Sequence, residues 1–224
     1  IVGVSALVAP MSIMKTTVRK DIPFALVASA LLLIMCLDED ISRIDAAILF
    51  VMFLIFMYIT LRGAKAQGTD VEEKEKKPMA TWLSVVWILV GLACLIGGSN
   101  LFVNGATAVA TKLGVSEAVI GLTIVAGGTS LPELATSVVS ARKGNSGIAI
   151  GNVLGSNVFN ILAILGLTGV ISPMTLKGIT MTDLSMMVIS IILIWLFSFT
   201  KYKIERWEGA ILTAVFVGYI YSLL

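Results

Sequence analysis

Long apolar runs separated by short polar breaks recur along this chain. Seven of them, at about 21–37, 43–62, 82–105, 117–141, 147–170, 182–199 and 207–224, are each near the ~20 residues a helix needs to cross a bilayer, and residues 1–9 read as the tail of an eighth. The one long polar stretch, RGAKAQGTDVEEKEKKP from Arg62 to Pro78, interleaves acidic and basic residues and reads as a solvated linker. In the fourth run the apolar pattern is broken by GGTSLPELATSVVSARKG, Gly127 to Gly144, which places Glu133 inside otherwise membrane-grade sequence. A carboxylate at that depth costs roughly 2.5–3.5 kcal/mol on insertion scales, so it must face protein, water or ions. Gly127, Gly128 and Pro132 weaken the helical ladder around it, and non-helical backbone in a bilayer survives only where it is buried or lines a cavity. The pattern predicts a broken helix around an ion site.

Composition agrees on class. A mean hydropathy of +1.00, with 58% hydrophobic and only 13% charged residues, describes an all-α, polytopic membrane bundle whose surroundings are the lipid bilayer. Nothing in it calls for a nucleic-acid partner. The absence of His excludes imidazole metal sites and His proton relays, and Cys36 and Cys94, each in an apolar run without CxxC spacing, read as packing residues. Charge distribution orients the spans. With the linker cytoplasmic, Lys15, Arg19, Lys20, Arg62, Lys65, Lys74, Lys76, Lys77, Arg142, Lys143, Lys201, Lys203 and Arg206 fall inside, leaving Arg43, Lys112 and Lys177 outside with the acidic Asp38, Glu39 and Asp40.

The chain also repeats itself. GVSALVAPM from Gly3 matches GLTGVISPM from Gly166, and ISRIDAAIL from Ile41 matches IERWEGAIL from Ile204, both at an offset of 163 residues. Pro10/Pro173, Arg43/Arg206 and Asp45/Glu208 coincide at that offset, which composition alone does not explain. Equivalent loops fall on opposite sides in the topology above, so the copies are inverted, as in many secondary transporters. Residues 1–62 are then the remainder of a first repeat (the end of one helix plus two spans), 63–80 a cytoplasmic linker, and 81–224 a second repeat of five spans. The counterpart of 97–160 would precede residue 1, so this reading expects a longer protein of about ten helices, with the N-terminal part and half the site missing here.

Polar residues of the second repeat form two stripes. Thr129, Glu133 and Ser137 are four apart, with Ser130 beside the break; Asn152, Ser156 and Asn160 in the next run are again four apart, with Asn157 adjacent. The stripes are expected to face each other, with Gly151 and Gly155 admitting a neighbouring backbone. They offer a carboxylate, hydroxyls, amide carbonyls and backbone carbonyls freed by the break, which is the oxygen donor set of hard cations such as Ca²⁺. One carboxylate does not neutralise a divalent ion, so a second is expected from the first repeat. Taken singly, Asn152 and Ser137 read first as interhelical glue, and Asp21 and Asp183 as charges at helix N-termini.

GGTSLPELATSVVSARKG followed by GNVLGSNVFNILAILG resembles the second signature repeat of the cation/Ca²⁺ exchanger superfamily, in its prokaryotic sodium/calcium exchanger-like members, and the flanking spans match over essentially the whole chain. The resemblance implies an inverted-repeat sodium/calcium exchanger-like fold in which each five-helix repeat donates a Glu from a GTSLPE-type motif to central Na⁺ and Ca²⁺ sites. By position it makes Glu133 the ion-ligating Glu, Thr129 and Ser130 the motif hydroxyls, Ala126 a backbone carbonyl ligand, and Ser156 the Ser of the GSN motif. Asn160 falls where some members carry Asp and others Asn, which lowers the negative charge of the site and bears on stoichiometry and K⁺ dependence.

The resulting expectation is a multi-pass protein of the prokaryotic inner membrane, a secondary antiporter exchanging Ca²⁺ for Na⁺ by alternating access, without cofactor or covalent chemistry. H⁺ is the alternative coupling ion, because a carboxylate in a dry site has its pKa raised. A cation channel is the weaker rival, since channels build filters from oligomeric rings. An intramembrane hydrolase built on Ser130 fails for want of a His, or of a Lys or Asp in the same spans, to activate the hydroxyl.

Overall fold

A computed structural model describes residues 1–66, 80–115, 117–176 and 178–223. Along the chain run α1 (Val2–Val8), β1 (Met11–Ser12), a π-helical turn Thr17–Asp21 leading into α2 (Ile22–Met35), a 3₁₀ turn Cys36–Asp38, β2 (Asp40–Ile41) and α3 (Arg43–Ala66). Then come α4 (Thr81–Lys112), α5 (Glu117–Ile120), π-helical Gly121–Val125, α6 (Ala126–Thr129), α7 (Leu131–Arg142), α8 (Ser146–Val158) and π-helical Phe159–Leu165. The chain closes with α9 (Gly166–Ile171), β3 (Met174–Thr175), α10 (Met181–Ser198), β4 (Lys203–Ile204) and α11 (Arg206–Leu223). Among the described residues five helical runs, Thr17–Asp38, Arg43–Gly63, Thr81–Lys112, Ser146–Ile171 and Met181–Ser198, are long and apolar enough to cross a membrane. The expected span at 117–141 is interrupted at Ser130, and the last is α11, with Arg206 and Glu208 at its start. Most of the expected linker, and Lys177, lie outside the described residues.

Two compact units result, Ile1–Ile59 with Glu133–Leu224, and Thr60–Pro132. In the first, Met11, Ile22, Ile41, Leu49, Leu162 and Ile204 are fully buried, while Val51, Leu54, Ile55, Leu196 and Phe216 point outward. Apolar side chains on the outside are what a bilayer solvates, so the interior is held by close packing rather than by exclusion from water.

The 163-residue offset reappears as geometry. Adding it to β1 gives β3, and adding it to β2 gives β4; β1 pairs antiparallel with β4 (Met11 opposite Ile204) and β2 with β3 (Ile41 opposite Met174). Exchanging the copies therefore converts one sheet into the other, as a two-fold axis requires. Backbone bonds beside the sheets obey the same exchange: Ile13 N–H donates to the Tyr202 carbonyl and Leu176 N–H to that of Glu39, both at 2.8 Å. The acceptors Glu39 and Tyr202 both adopt left-handed backbone, with φ of 63° and 52°.

Helix direction follows from the sheets. α2 leaves the β1·β4 sheet and ends at β2·β3, whereas α10 leaves β2·β3 and ends at β1·β4, so equivalent helices run in opposite senses and pack on each other. The indole N–H of Trp195 on α10 donates to the Val18 carbonyl at 3.0 Å, within the π turn before α2. Around β1·β4 gather Lys15, Arg19, Lys20, Lys201, Lys203 and Arg206; β2·β3 is flanked by Asp38, Glu39, Asp40 and Arg43. α8 also contacts β1.

Helix crossings also come in matched pairs. A Cβ on Gly209 would stand 2.8 Å from the Ala6 Cβ and 2.8 Å from the Gly3 carbonyl, and one on Gly166 would stand 2.8 Å from Phe50 N and 3.1 Å from the Ala46 carbonyl. Because backbone blocks these approaches, Gly209→Ala is expected to destabilise the first unit by about 1–3 kcal/mol. Gly218 on the same helix has open space around it, so Gly218→Ala should be neutral or stabilising by up to about 1 kcal/mol. Thermal unfolding in detergent checks the contrast, and equal midpoints for the two variants would contradict this packing.

Candidate functional site

In the second unit, the break around Ser130 has an identifiable cause and an identifiable remedy. Pro132 has no N–H, so the carbonyl four residues earlier, that of Gly128, loses its helical donor. Ser99 Oγ on α4 donates to that carbonyl at 2.5 Å. The Ser130 N–H turns to the Gly127 carbonyl at 3.1 Å, which releases the carbonyl of Ala126. Two hydroxyls then donate to the Ala126 oxygen, Thr129 Oγ1 at 2.9 Å and Ser130 Oγ at 3.3 Å. Glycine is required at 128, where a Cβ would lie 2.0 Å from Val103 Cγ2; Gly127 has open space beside it.

The first unit resumes at Glu133, in the first turn of α7. Its Oε2 is shut off from solvent and accepts no hydrogen bond among the described residues. The Glu133 backbone carbonyl is, by contrast, heavily used: Thr136 Oγ1 donates to it at 3.1 Å and Asn152 Nδ2 at 3.2 Å. Asn152 Nδ2 also lies 3.0 Å from Thr136 Oγ1 and 3.0 Å from Ser137 Oγ, the latter on a residue only 1% exposed. The amide joins α8 to α7, so Asn152 and Ser137 serve as interhelical glue in this structure. One helical turn on from Asn152, Ser156 Oγ donates to the Val153 carbonyl at 3.1 Å, and Asn160 follows at the entry to the π-helical segment.

The hydroxyls share one chemical consequence. Thr129, Ser130 and Ser156 each donate their proton to a carbonyl of the preceding turn, which leaves the oxygen lone pairs as acceptors. Such oxygens ligate cations. Among the described residues no group of three or more His, Cys, Asp or Glu converges. Gly151 and Gly155 differ from expectation: no atom among the described residues comes within 4 Å of a Cβ there, so that face is open rather than closely packed.

Cys36 is buried and Cys94 exposed, both as free thiols. Asp183 closes a capping box with Thr180 at the start of α10, as a charge at a helix N-terminus does, and also accepts from Tyr219 Oη at 2.6 Å. Asp21 caps nothing with its side chain. The sequence reading missed Ser99 and Thr136. For Ser99 a signal existed, since Gly97-Gly98-Ser99-Asn100 interrupts an apolar run much as Gly127–Ser130 does.

The chain as a whole is similar to known proteins. A family model for the sodium/calcium exchanger protein matches residues 83–224. The putative antiporter CaxA of Alkalimonas amylolytica is 35% identical over 233 residues, covering 100% of this chain and 73% of that protein. The inner membrane protein YrbG of Escherichia coli K12 is 34% identical over 100% of this chain and 72% of its own length. A solved structure of the sodium-calcium exchanger NCX_Mj, soaked with 10 mM Na⁺ and 10 mM Sr²⁺, superposes with a TM-score of 0.79 at 31% identity, over 100% of this chain and 71% of that one.

Removing the Ser99 hydroxyl takes the side-chain donor from the Gly128 carbonyl inside an apolar segment. Ser99→Ala is expected to cost about 1–3 kcal/mol, read as a lower thermal midpoint in detergent. Ser99→Thr, which keeps a hydroxyl, should lose less; equal losses would show that the carbonyl has no need of it.

Proposed function

The chain belongs to the sodium/calcium exchanger family, and from that premise we propose that it works as a secondary antiporter exchanging Ca²⁺ for Na⁺ by alternating access across a prokaryotic inner membrane. It is a multi-pass integral membrane protein. One observation carries the reading of the site: a carboxylate oxygen, Glu133 Oε2, is buried in a membrane-grade segment and accepts no hydrogen bond among the described residues. An ionised carboxylate in that setting is stabilised by a cation. Glu133 is the ligand shared by both ions, Ser156 and Asn160 supply neutral oxygens from the same unit, and Thr129, Ser130 and the Ala126 carbonyl are assigned to the site by the sequence motif that joins them to Glu133.

Competition supplies the coupling. A Ca²⁺ ion needs six to eight oxygens and close to two negative charges, whereas Na⁺ needs one charge, so occupation of Glu133 by one excludes the other. Asn160, being neutral, leaves Glu133 with the charge-carrying role on this side of the site. The opposed senses of α2 and α10 support alternating access, because a two-fold exchange of the copies converts one membrane-facing end into the other. The basic β1·β4 end is assigned to the cytoplasm by charge, and the segment 63–80 to a cytoplasmic linker between a first repeat (1–62) and a second (81–224).

Reconstituted protein in Na⁺-loaded liposomes tests the coupling ion. ⁴⁵Ca²⁺ uptake should saturate and should vanish when K⁺ replaces internal Na⁺; uptake driven by a pH gradient without Na⁺ would make the counter-ion a proton, and non-saturating, counter-ion-independent flux would make the protein a channel. Glu133→Gln should reduce exchange by at least about 100-fold, because it strips the charge from a buried ion pair, with membrane insertion unchanged. Exchange at the unmodified rate in that variant would remove Glu133 from the site.

Orientation is tested separately. A cysteine at Glu39 should react with an impermeant thiol reagent in intact cells and one at Arg142 should be protected. The opposite labelling would invert the assignment.

A further inference from the structure

We propose that Asn152 is the positioning residue of the ion site, a hydrogen-bond donor that fixes the Glu133 turn against α8 rather than a ligand of the cation. The proposal rests on the reading of Glu133 as the shared ligand. Asn152 Nδ2 lies 3.2 Å from the Glu133 carbonyl, 3.0 Å from Thr136 Oγ1 and 3.0 Å from Ser137 Oγ. A backbone carbonyl only accepts, so the side-chain amide must present its NH₂ group to α7, and chemistry alone fixes which way the amide is turned. Two N–H bonds thus serve three oxygens clustered on one turn.

The consequence is a fixed register at one depth. Asn152 bonds the backbone of the very residue that carries the carboxylate, and Ser156 follows one turn later on the same helix, about 6 Å along its axis at 1.5 Å per residue. One amide therefore sets where the Ser156 hydroxyl and the start of the π-helical segment with Asn160 stand relative to Glu133 along the α7–α8 contact. Ion ligands must be held to within about 0.5 Å to keep their geometry, and a cation bound at about 2.3–2.6 Å has little slack. The Ser137 arm is buried, with 1% exposure, so water does not replace the donor there.

Donor and ligand roles give opposite results for one nearly isosteric change. Asn152→Asp keeps an oxygen and adds charge but lacks the NH₂ group, setting a carboxylate against the Glu133 carbonyl. The positioning role predicts that Asn152→Asp raises the KM for Ca²⁺ and for Na⁺ about tenfold or more in liposome exchange, with a smaller change in kcat, and that Asn152→Gln, which keeps the donor, recovers part of the loss. An unchanged or lowered KM for Ca²⁺ in Asn152→Asp would make residue 152 a ligand or a bystander. A fall in thermal midpoint and kcat with KM unchanged would make it a packing residue only; both outcomes overturn the proposal. Glu133→Gln measured in parallel separates the two levels. Full exchange in Glu133→Gln overturns the site and this inference together, whereas its loss alongside normal Asn152→Asp overturns the inference alone.

Discussion

A bilayer offers the backbone no hydrogen bonds, and that constraint governs this protein. Every carbonyl that leaves the helical ladder must find a side chain, water or ion. Pro132 removes one donor, the Ser130 N–H moves to Gly127, and three side-chain hydroxyls, those of Ser99, Thr129 and Ser130, take up the carbonyls left over. Once Thr129 and Ser130 have given their protons to Ala126, their oxygens have only lone pairs left to present, and Glu133 follows in the next turn of chain.

The same accounting explains the symmetric part of the molecule. Each copy's two-residue strand would be a bare edge on its own, and each is paired by the strand of the other copy at the same end of the helices. Matched close approaches at Gly209 and Gly166 bring helix backbones together where lipid supplies no hydrophobic drive. Two ends built from exchanged versions of the same parts are what a transporter needs if its inward- and outward-open states are to resemble each other in energy.

Much of this was legible in the sequence, because periodicity, glycine and proline act locally. Gly127, Gly128 and Pro132 mark the break that occurs at Ser130, and the 163-residue offset of Pro10/Pro173 and Arg43/Arg206 returns as exchanged strand pairs. What was not legible involves partners distant in sequence. Ser99 meets Gly128 across 29 residues and Asn152 meets the Glu133 carbonyl across 19, and no local pattern names those pairs. The Gly151/Gly155 spacing pointed to a close approach that the described residues do not make, since small residues permit contact without specifying what fills it. Among the polar stripes, geometry separates roles that composition could not: Asn152 and Ser137 bind helix to helix, whereas Ser156 keeps its oxygen lone pairs available.

In the proposed exchange Ca²⁺ and Na⁺ occupy one carboxylate in turn. Equilibrium ⁴⁵Ca²⁺ binding to the purified intact protein at increasing Na⁺ tests this most directly. Competition predicts an apparent Kd for Ca²⁺ that rises steadily with Na⁺ at constant binding capacity. A Kd indifferent to Na⁺, or a capacity that falls while Kd stays fixed, would contradict a shared site.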